Sequence, residues 1–257
     1  MINTFKKDLL KVNIYETRSE MGEAAARDIK ESILSLLEAK ETVNMIFAAA
    51  PSQNEVLQAL ATDKEIPWNR VNAFHMDEYI GLPVDAPQGF GNFLREHIFG
   101  LADFKSVKYM DVTASDVDKE CERYAALLAE YPTDIVVMGI GENGHIAFND
   151  PPVADINDKK VVKPVELDEI CRNQQVNDGC FARIEDVPRT AITLTVPTLF
   201  AGDRLFCIVP AKTKAGAVRA TLCDDINEKC PATILRRHKR ATLYLDGDSS
   251  SLLKESL

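Results

Sequence analysis

The chain has 257 residues, of which 30 are Lys or Arg and 40 are Asp or Glu, so its formal net charge at pH 7 is −10. A hydrophobic fraction of 46% and a charged fraction of 27% are ordinary for a globular protein and exclude a disordered or collagen-like chain. The acidic balance argues against a general nucleic-acid binder, because neutralising phosphates requires clustered Lys and Arg. An anionic small molecule stays compatible with it, because such a ligand needs only a few cations in one cleft.

The sequence predicts a cytoplasmic protein that does not contact a membrane. No apolar run reaches the roughly 18 residues of a membrane span, and the first residues lack the apolar core of a signal peptide. The six cysteines form no C-x-x-C pair, and the four histidines show no ligand spacing with them. We therefore expect reduced thiols and no metal site.

Helical and apolar periodicities alternate along the chain. In chain order, the predicted helices cover residues 19–39, a segment from Ser52 onward, 90–99, 116–129 and 212–222. The predicted strands cover residues 43–50, 71–76, 134–141, 190–195, 204–209 and 241–245. The residue pairs that predict capping boxes at helix starts are Thr17 with Glu20, Ser52 with Glu55, and Ser115 with Asp118. Residues 150–170 are predicted to be a loop that flanks the active site.

This alternation predicts an α/β fold. We expect a doubly wound, mostly parallel, Rossmann-like sheet with helices on both faces, and a single domain over residues 1–257. In such sheets, ligands bind beyond the carboxyl ends of the strands. The segments that follow Ala50, Met76 and Ile140 therefore hold the candidate functional residues.

The first of these segments runs from Ala48 to Glu55 and contains Ser52 and Gln53. A helix start presents free N–H groups and the positive end of the helix dipole, which suits an anion. A capped helix without a ligand explains the same residues. The segment has no glycine and is not a G-x-x-x-x-G-K-[ST] phosphate loop.

The second segment begins with the adjacent carboxylates Asp77 and Glu78. Partial burial after an apolar strand raises the pKa of such a group and makes it a useful general base. Alternatively, the two acids cap the next element or form solvated ion pairs.

The third segment is rich in glycine and carries His145, with Asp150 five residues later. The glycines allow tight turns, the histidine suits proton transfer near neutral pH, and Asp150 could hold its ring. A structural histidine is the alternative. The chain has no G-x-S-x-G elbow, and the sequence after G-I-G-E-N-G is a poor dinucleotide-binding helix.

Together these segments resemble the glucosamine-6-phosphate deaminase (isomerase) family, which shares a superfamily with the 6-phosphogluconolactonases. The resemblance extends from about Val43 to Leu245. Its most specific parts are F-H-M-D-E-Y-I-G-L-P at 74–83 and G-I-G-E-N-G-H-I-A-F-N-D-P at 139–151. It implies conversion of an amino-sugar phosphate to a ketose phosphate plus ammonia, without a metal or an organic cofactor.

The resemblance also implies which residues form the site. The implied catalytic residues are Asp77, His145, Asn143 and Asp150. The implied substrate- and phosphate-binding residues are Ser52, Gln53, Arg172 and Lys214. Asp77 would move a proton between carbons 2 and 1 of the opened sugar, His145 would open the pyranose ring, and Asp150 would orient His145.

The chain departs from the family pattern at three places. Ala49-Ala50-Pro51-Ser52 replaces the usual T-G-G-T of the phosphate loop, and Pro51 removes one N–H donor. Asn143 replaces an aspartate, and a neutral amide does not favour protonated His145 as a carboxylate would. Asp150 replaces a glutamate and is one methylene shorter.

Three functions remain open from the sequence. Deaminating isomerisation is favoured, with glucosamine 6-phosphate as the first substrate and galactosamine 6-phosphate as an epimeric alternative. A lactonase of the same superfamily is disfavoured by the continuation Phe148-Asn149-Asp150-Pro151. A non-catalytic sugar-phosphate sensor is disfavoured by the net charge and by Asp77 and His145. The expected partner is a small sugar phosphate, and homo-oligomerisation is compatible with the sequence.

Overall fold

A computed structural model describes residues 1–253. Its α-helices are α1 (Arg18–Leu37), α2 (Asn54–Thr62), α3 (Phe90–Leu94), α4 (Val117–Glu130), α5 (Glu169–Asn177), α6 (Val196–Phe200) and α7 (Ala215–Cys223). Its strands are β1 (Asn3–Lys7), β2 (Leu10–Ile14), β3 (Val43–Phe47), β4 (Val71–His75), β5 (Asp77–Tyr79), β6 (Ser106–Lys108), β7 (Ile135–Met138), β8 (Val162–Glu166), β9 (Thr190–Leu194), β10 (Arg204–Val209) and β11 (Ala241–Leu245).

Eight strands form the central sheet, in the order β1-β2-β11-β10-β7-β3-β4-β6. All neighbouring pairs are parallel except β1 with β2, which form an antiparallel hairpin at one edge. This hairpin was not predicted, because its strands alternate apolar and polar residues only briefly.

The central strands are apolar on both faces because helices cover both sides of the sheet. Met45 and Phe47 of β3 face a core that includes α1 and α2, whereas Ile46 faces a second core that includes α4 and α7. Burial on two faces explains why these strands are continuous apolar runs. The structure thus confirms the predicted doubly wound α/β fold.

A second, antiparallel sheet, in the order β5-β9-β8, continues from the central one. The chain passes from β4 through Met76 directly into β5, where Asp77 pairs with Thr193 of β9. The predicted strand at 190–195 is therefore real but belongs to this smaller sheet. The predicted loop at 150–170 is wrong in part, because it contains β8, whose apolar pattern Lys163 and Pro164 interrupt.

Helix starts follow the capping predictions at one of three places. Thr17 caps α1, since its hydroxyl accepts a hydrogen bond from the N–H of Glu20 at 3.2 Å. Asp116, not Ser115, caps α4. Ser52 caps no helix: it lies in a 3-10 turn, Pro51–Gln53, and α2 begins after it.

The predicted helices at 90–99 and 212–222 each combine two geometries. Helix α3 continues as a π-helical segment, Arg95–Phe99, and α7 follows a 3-10 turn, Lys212–Lys214. No helix within residues 1–253 is long and apolar enough to cross a membrane. The predicted domain end at residue 257 lies outside the described residues, and a single domain over 1–257 stays a prediction.

The strand order reverses between β3 and β7. After β3, the next strand along the chain is β4, which lies on one side of the β3–β7 pair. After β7, the next strand of this sheet along the chain is β10, which lies on the opposite side. A crevice forms at such a switch point, beyond the carboxyl ends of the strands. The segments after β3, β4, β7 and β10 all reach this crevice.

Candidate active site

A narrow cleft occupies the crevice at the carboxyl ends of these strands. Its lining comes from every strand exit singled out above, with additions from α5 and from the turn after β10. The lining residues include Ala48–Ala50, Ser52, Gln53, Met76, Asp77, Phe90, Gly139–Gly141, His145, Ala147, Phe148, Gln174, Gln175 and Lys214. The three segments that the sequence singles out therefore meet in one site, together with residues of α3, α5 and the turn after β10.

Asp77 lies where the central sheet passes into the smaller sheet, and its exposed fraction is only 6%. Burial raises its pKa well above the ordinary value, and the negative charges of Glu78 and Asp150 raise it further. A carboxylate in this environment binds a proton more strongly than in water. Asp77 therefore has the properties of a general base that can return the proton it takes.

The neighbours of Asp77 hold its backbone in place. The His75 ring accepts a hydrogen bond at Nε2 from the N–H of Met110 (2.9 Å), so its Nδ1 carries the proton and donates to the carbonyl of Asp77 (2.9 Å). Glu78 faces away from the cleft and accepts hydrogen bonds from the N–H groups of Phe90 (2.9 Å) and Gly91 (2.7 Å). The paired acids thus have separate tasks: Asp77 lines the cleft, and Glu78 caps α3.

The glycine-rich segment after β7 is shaped to hold the His145 ring. A Cβ at Gly141 would collide with that ring, so only glycine fits there. Gly144 has a φ of +85°, a conformation that L side chains rarely adopt. On the far side, Asn149 donates from Nδ2 to the carbonyls of Ile146 (2.9 Å) and Leu194 (2.8 Å), which anchors the segment to β9.

His145, Asn143 and Asp150 form one hydrogen-bonded network. Nδ1 of His145 lies 2.8 Å from Oδ1 of Asp150 and 2.8 Å from Oδ1 of Asn143. Oδ1 of the Asn143 side chain also accepts a hydrogen bond from the His145 backbone N–H (3.0 Å). Nδ2 of the same side chain donates to Oδ1 of Asp150 (2.9 Å). The shorter side chain of Asp150 therefore reaches the imidazole.

This network determines the protonation pattern of the ring. Both groups facing Nδ1 are acceptors, so Nδ1 carries a proton, and Nε2 is the nitrogen left to exchange protons in the cleft. Burial alone would raise the pKa of Asp150. The hydrogen bonds from His145 and Asn143, together with the histidine charge, hold that pKa below its ordinary value. Asp150 is thus an ionised partner that orients His145.

Lys214 supplies positive charge to the cleft. It is 4% exposed and, among residues 1–253, forms no ion pair within 4.0 Å. Burial lowers its pKa, although the nearby carboxylates of Asp178 and Glu142 oppose that shift. An unpaired, desolvated ammonium of this kind favours an anionic or acceptor group in a ligand.

Ser52 and Gln53 line the same cleft as Lys214. Gln53 is fully buried and donates from Nε2 to the carbonyl of Ile208 (3.1 Å) and to Oγ of Ser52 (3.1 Å). Within the described part of the chain its Oε1 has no hydrogen-bond partner. Since the Gln53 N–H is bonded to Ala50 (2.9 Å), the turn offers fewer free N–H groups than the helix start expected here.

Arg172 is not among the residues that line the cleft. Its Nη2 donates to the carbonyls of Ile184 (2.6 Å) and Val187 (3.0 Å) and so fixes the turn before β9. The residues of α5 that do line the cleft are Gln174 and Gln175. The sequence did not predict them, because α5 has only a weak apolar periodicity and begins at the end of the loop predicted at 150–170.

The sequence spacing excluded a cluster of cysteine and histidine, but the fold creates one. His145, Asp150 and Cys171 each offer a ligand atom, and these atoms lie within 4.8 Å of one another. They are the residues of this site that could approach a metal ion together. The hydrogen bond between His145 and Asp150 already uses two of the three ligand atoms.

Comparison with known proteins identifies the family of the chain. Residues 16–244 match the family described as "Glucosamine-6-phosphate isomerases/6-phosphogluconolactonase". The glucosamine-6-phosphate deaminase of Bacillus cereus (strain B4264) is 32% identical over 248 residues, which covers 96% of this chain and 91% of that protein. The same identity and coverage hold for the glucosamine-6-phosphate deaminase of Bacillus thuringiensis (strain Al Hakam).

Solved structures share the fold over nearly the whole chain. A monomeric glucosamine-6-phosphate deaminase superposes with a TM-score of 0.85 at 28% identity, covering 94% of this chain and 99% of that one. The 6-phosphogluconolactonase of Trypanosoma brucei superposes with a TM-score of 0.80 at 18% identity, covering 98% of this chain and 100% of that one. At this identity the similarity supports the fold and not the function. From its sequence match and its site, the chain belongs to the glucosamine-6-phosphate isomerase/6-phosphogluconolactonase family.

Proposed function

We propose that the protein converts an amino-hexose 6-phosphate, with glucosamine 6-phosphate as the first candidate, to fructose 6-phosphate and ammonia. One observation carries this proposal: a buried Asp77 with a raised pKa shares a narrow cleft with a His145 that is oriented by an ionised Asp150. Two acid–base groups with different environments suit a reaction that moves protons at two places.

The proposed reaction begins with ring opening at His145. Nε2 exchanges protons between the ring oxygen and the anomeric hydroxyl, which yields the open-chain aldehyde. Asp77 then removes the proton at carbon 2 and returns it to carbon 1. A second proton passes from the amine nitrogen to the carbon-1 oxygen, which leaves a hydroxyl at carbon 1 and an imine at carbon 2. Water adds to this imine and ammonia departs, so the overall change consumes one water and requires no cofactor.

The anionic end of the substrate is assigned to Lys214, Ser52 and Gln53. A single buried ammonium gives one point charge, whereas an arginine would add a forked contact to phosphate. We therefore expect the phosphate to rely strongly on Lys214. The proposed partner is a small sugar phosphate, and the proposed location is the cytoplasm.

The test is to incubate purified protein with glucosamine 6-phosphate and to measure ammonia and fructose 6-phosphate. Galactosamine 6-phosphate in a parallel assay tests the epimer. The same preparation is given 6-phosphogluconolactone. Release of ammonia and ketose in equal amounts supports the proposal, whereas lactone hydrolysis without ammonia would replace it with the lactonase alternative.

A further inference from the structure

One oxygen of the Asp150 carboxylate has donors from the network, and the other does not. Oδ1 accepts from Asn143 (2.9 Å) and faces Nδ1 of His145 (2.8 Å). Oδ2 is buried, and no group within residues 1–253 meets the geometry of a hydrogen bond to it. An unpaired buried carboxylate oxygen is costly, so a donor of another kind is to be expected beside it.

The thiol of Cys171 is the donor that we consider, because an interaction with Cys171 is among the causes that lower the pKa of Asp150. Cys171 lies on α5, is fully buried, and has its sulfur within 4.8 Å of the ligand atoms of His145 and Asp150. Burial and the negative charge of Asp150 raise the pKa of this thiol well above its ordinary value, so it stays protonated. A protonated thiol donates a weak hydrogen bond to a carboxylate.

We propose that Cys171 is a positioning residue, whose S–H group donates to Asp150 and holds that carboxylate ionised and aligned on His145. Donors on both oxygens prevent the carboxylate from rotating away from Nδ1. The contact also seats α5: Cys171, Gln174 and Gln175 are spaced to share one face of this helix, and the two glutamines line the cleft. The role in turnover rests on the proposed function, whereas the S–H···O contact does not.

The kinetic test compares Cys171→Ala, Cys171→Ser and wild type. Alanine removes the donor, so we expect kcat to fall about 10-fold and the acid limb of the pH–rate profile to move to higher pH, because Asp150 then holds its proton more tightly. Serine keeps a donor and should restore most of both. A serine variant that matches alanine in rate and pH profile would overturn the proposal.

A matched control separates this effect from simple loss of packing. Cys207 is also a fully buried thiol, but it lies on β10 outside the cleft. Cys207→Ala should lower the free energy of unfolding and leave the acid limb unmoved. An equal shift of the acid limb in both alanine variants would show that packing alone is responsible and would overturn the proposal.

A spectroscopic measurement tests the contact without any turnover. The infrared spectrum of wild type minus that of Cys171→Ala isolates the S–H stretching band of Cys171. This band should lie at the lower frequency of a hydrogen-bonded thiol. A band at the frequency of a free thiol would overturn the proposal. This measurement tests the contact independently of the proposed function, because it gives the same answer whether or not the protein deaminates amino sugars.

Discussion

The two parts of the site that we propose, a proton-transfer end and an anion-binding end, differ in how completely their predicted residues meet. At the proton-transfer end, Asp77, His145, Asn143 and Asp150 come together, and the last three form one hydrogen-bonded network. At the anion-binding end, Lys214 lines the cleft near the carboxylates of Asp178 and Glu142, and Arg172 is engaged elsewhere. A motif within one segment carries its own geometry, whereas a site assembled from separate segments depends on how the intervening chain folds.

The largest expected effect is at the proton-transfer end. Asp77→Asn removes the base, so exchange of the carbon-2 proton with solvent should fall roughly 10²–10⁴-fold. Proton exchange measured by NMR in heavy water checks this, and calorimetric titration should show that sugar phosphate still binds. Persistent exchange would mean that Asp77 is not the base.

The same substitution should stabilise the fold, which tests the raised pKa of Asp77 directly. Because that pKa is higher in the folded than in the unfolded chain, ionised Asp77 weakens the fold as pH rises above the ordinary aspartate value of about 3.9. Urea denaturation at several pH values should show a higher free energy of unfolding for Asp77→Asn at neutral pH. The difference from wild type should shrink toward pH 4, and no gain at neutral pH would contradict the shift.

At the anion-binding end, Lys214→Met should lower kcat/KM for the phosphorylated substrate by about 10–100-fold, the cost of losing one charge-assisted contact. The same amino-hexose without phosphate should be affected much less. Lys212→Met is the matched control, because Lys212 begins the same turn and is exposed. An equal loss of kcat/KM in the two variants would mean that Lys214 does not bind the phosphate.

A smaller effect is expected from Asn143→Asp. A second carboxylate would replace the amide that now donates to Asp150, and like charges would raise the pKa of Asp150. It would also favour the protonated imidazole, so the pH–rate profile should move to higher pH. Asn69→Asp makes the same charge change on an exposed residue at the amino end of β4 and should leave the profile in place. An unmoved profile in Asn143→Asp would contradict this account of the His145 environment.

The smallest expected effect on activity is that of Arg172→Ala. The guanidinium holds two carbonyls, so its loss should lower the free energy of unfolding by about 1–3 kcal/mol. The KM for the sugar phosphate should change less than 2-fold. A rise in KM comparable to that of Lys214→Met would show that Arg172 does reach the substrate.

Much of the architecture follows from local pattern. Strands such as β3, β7 and β10 are apolar on both faces, and this property alone indicates a covered parallel sheet. The hairpin β1–β2 and the small sheet with β8 were not predicted, because short or interrupted strands depend on partners elsewhere in the chain. Whether Ser52 or Asp116 caps a helix is likewise decided by how the preceding turn packs.

By itself, the sequence determined the fold class and the strand exits that line the cleft, and it predicted the residues that we propose transfer protons. Those residues are encoded in short contiguous motifs, where the backbone brings His145 within reach of Asn143 and Asp150. Only the tertiary structure decided which distant groups join them: Lys214 and Gln174 line the cleft, Arg172 does not, and the Cys171 sulfur comes within 4.8 Å of Asp150. Contacts between distant segments depend on the packing of helices and turns, and no local pattern records that packing.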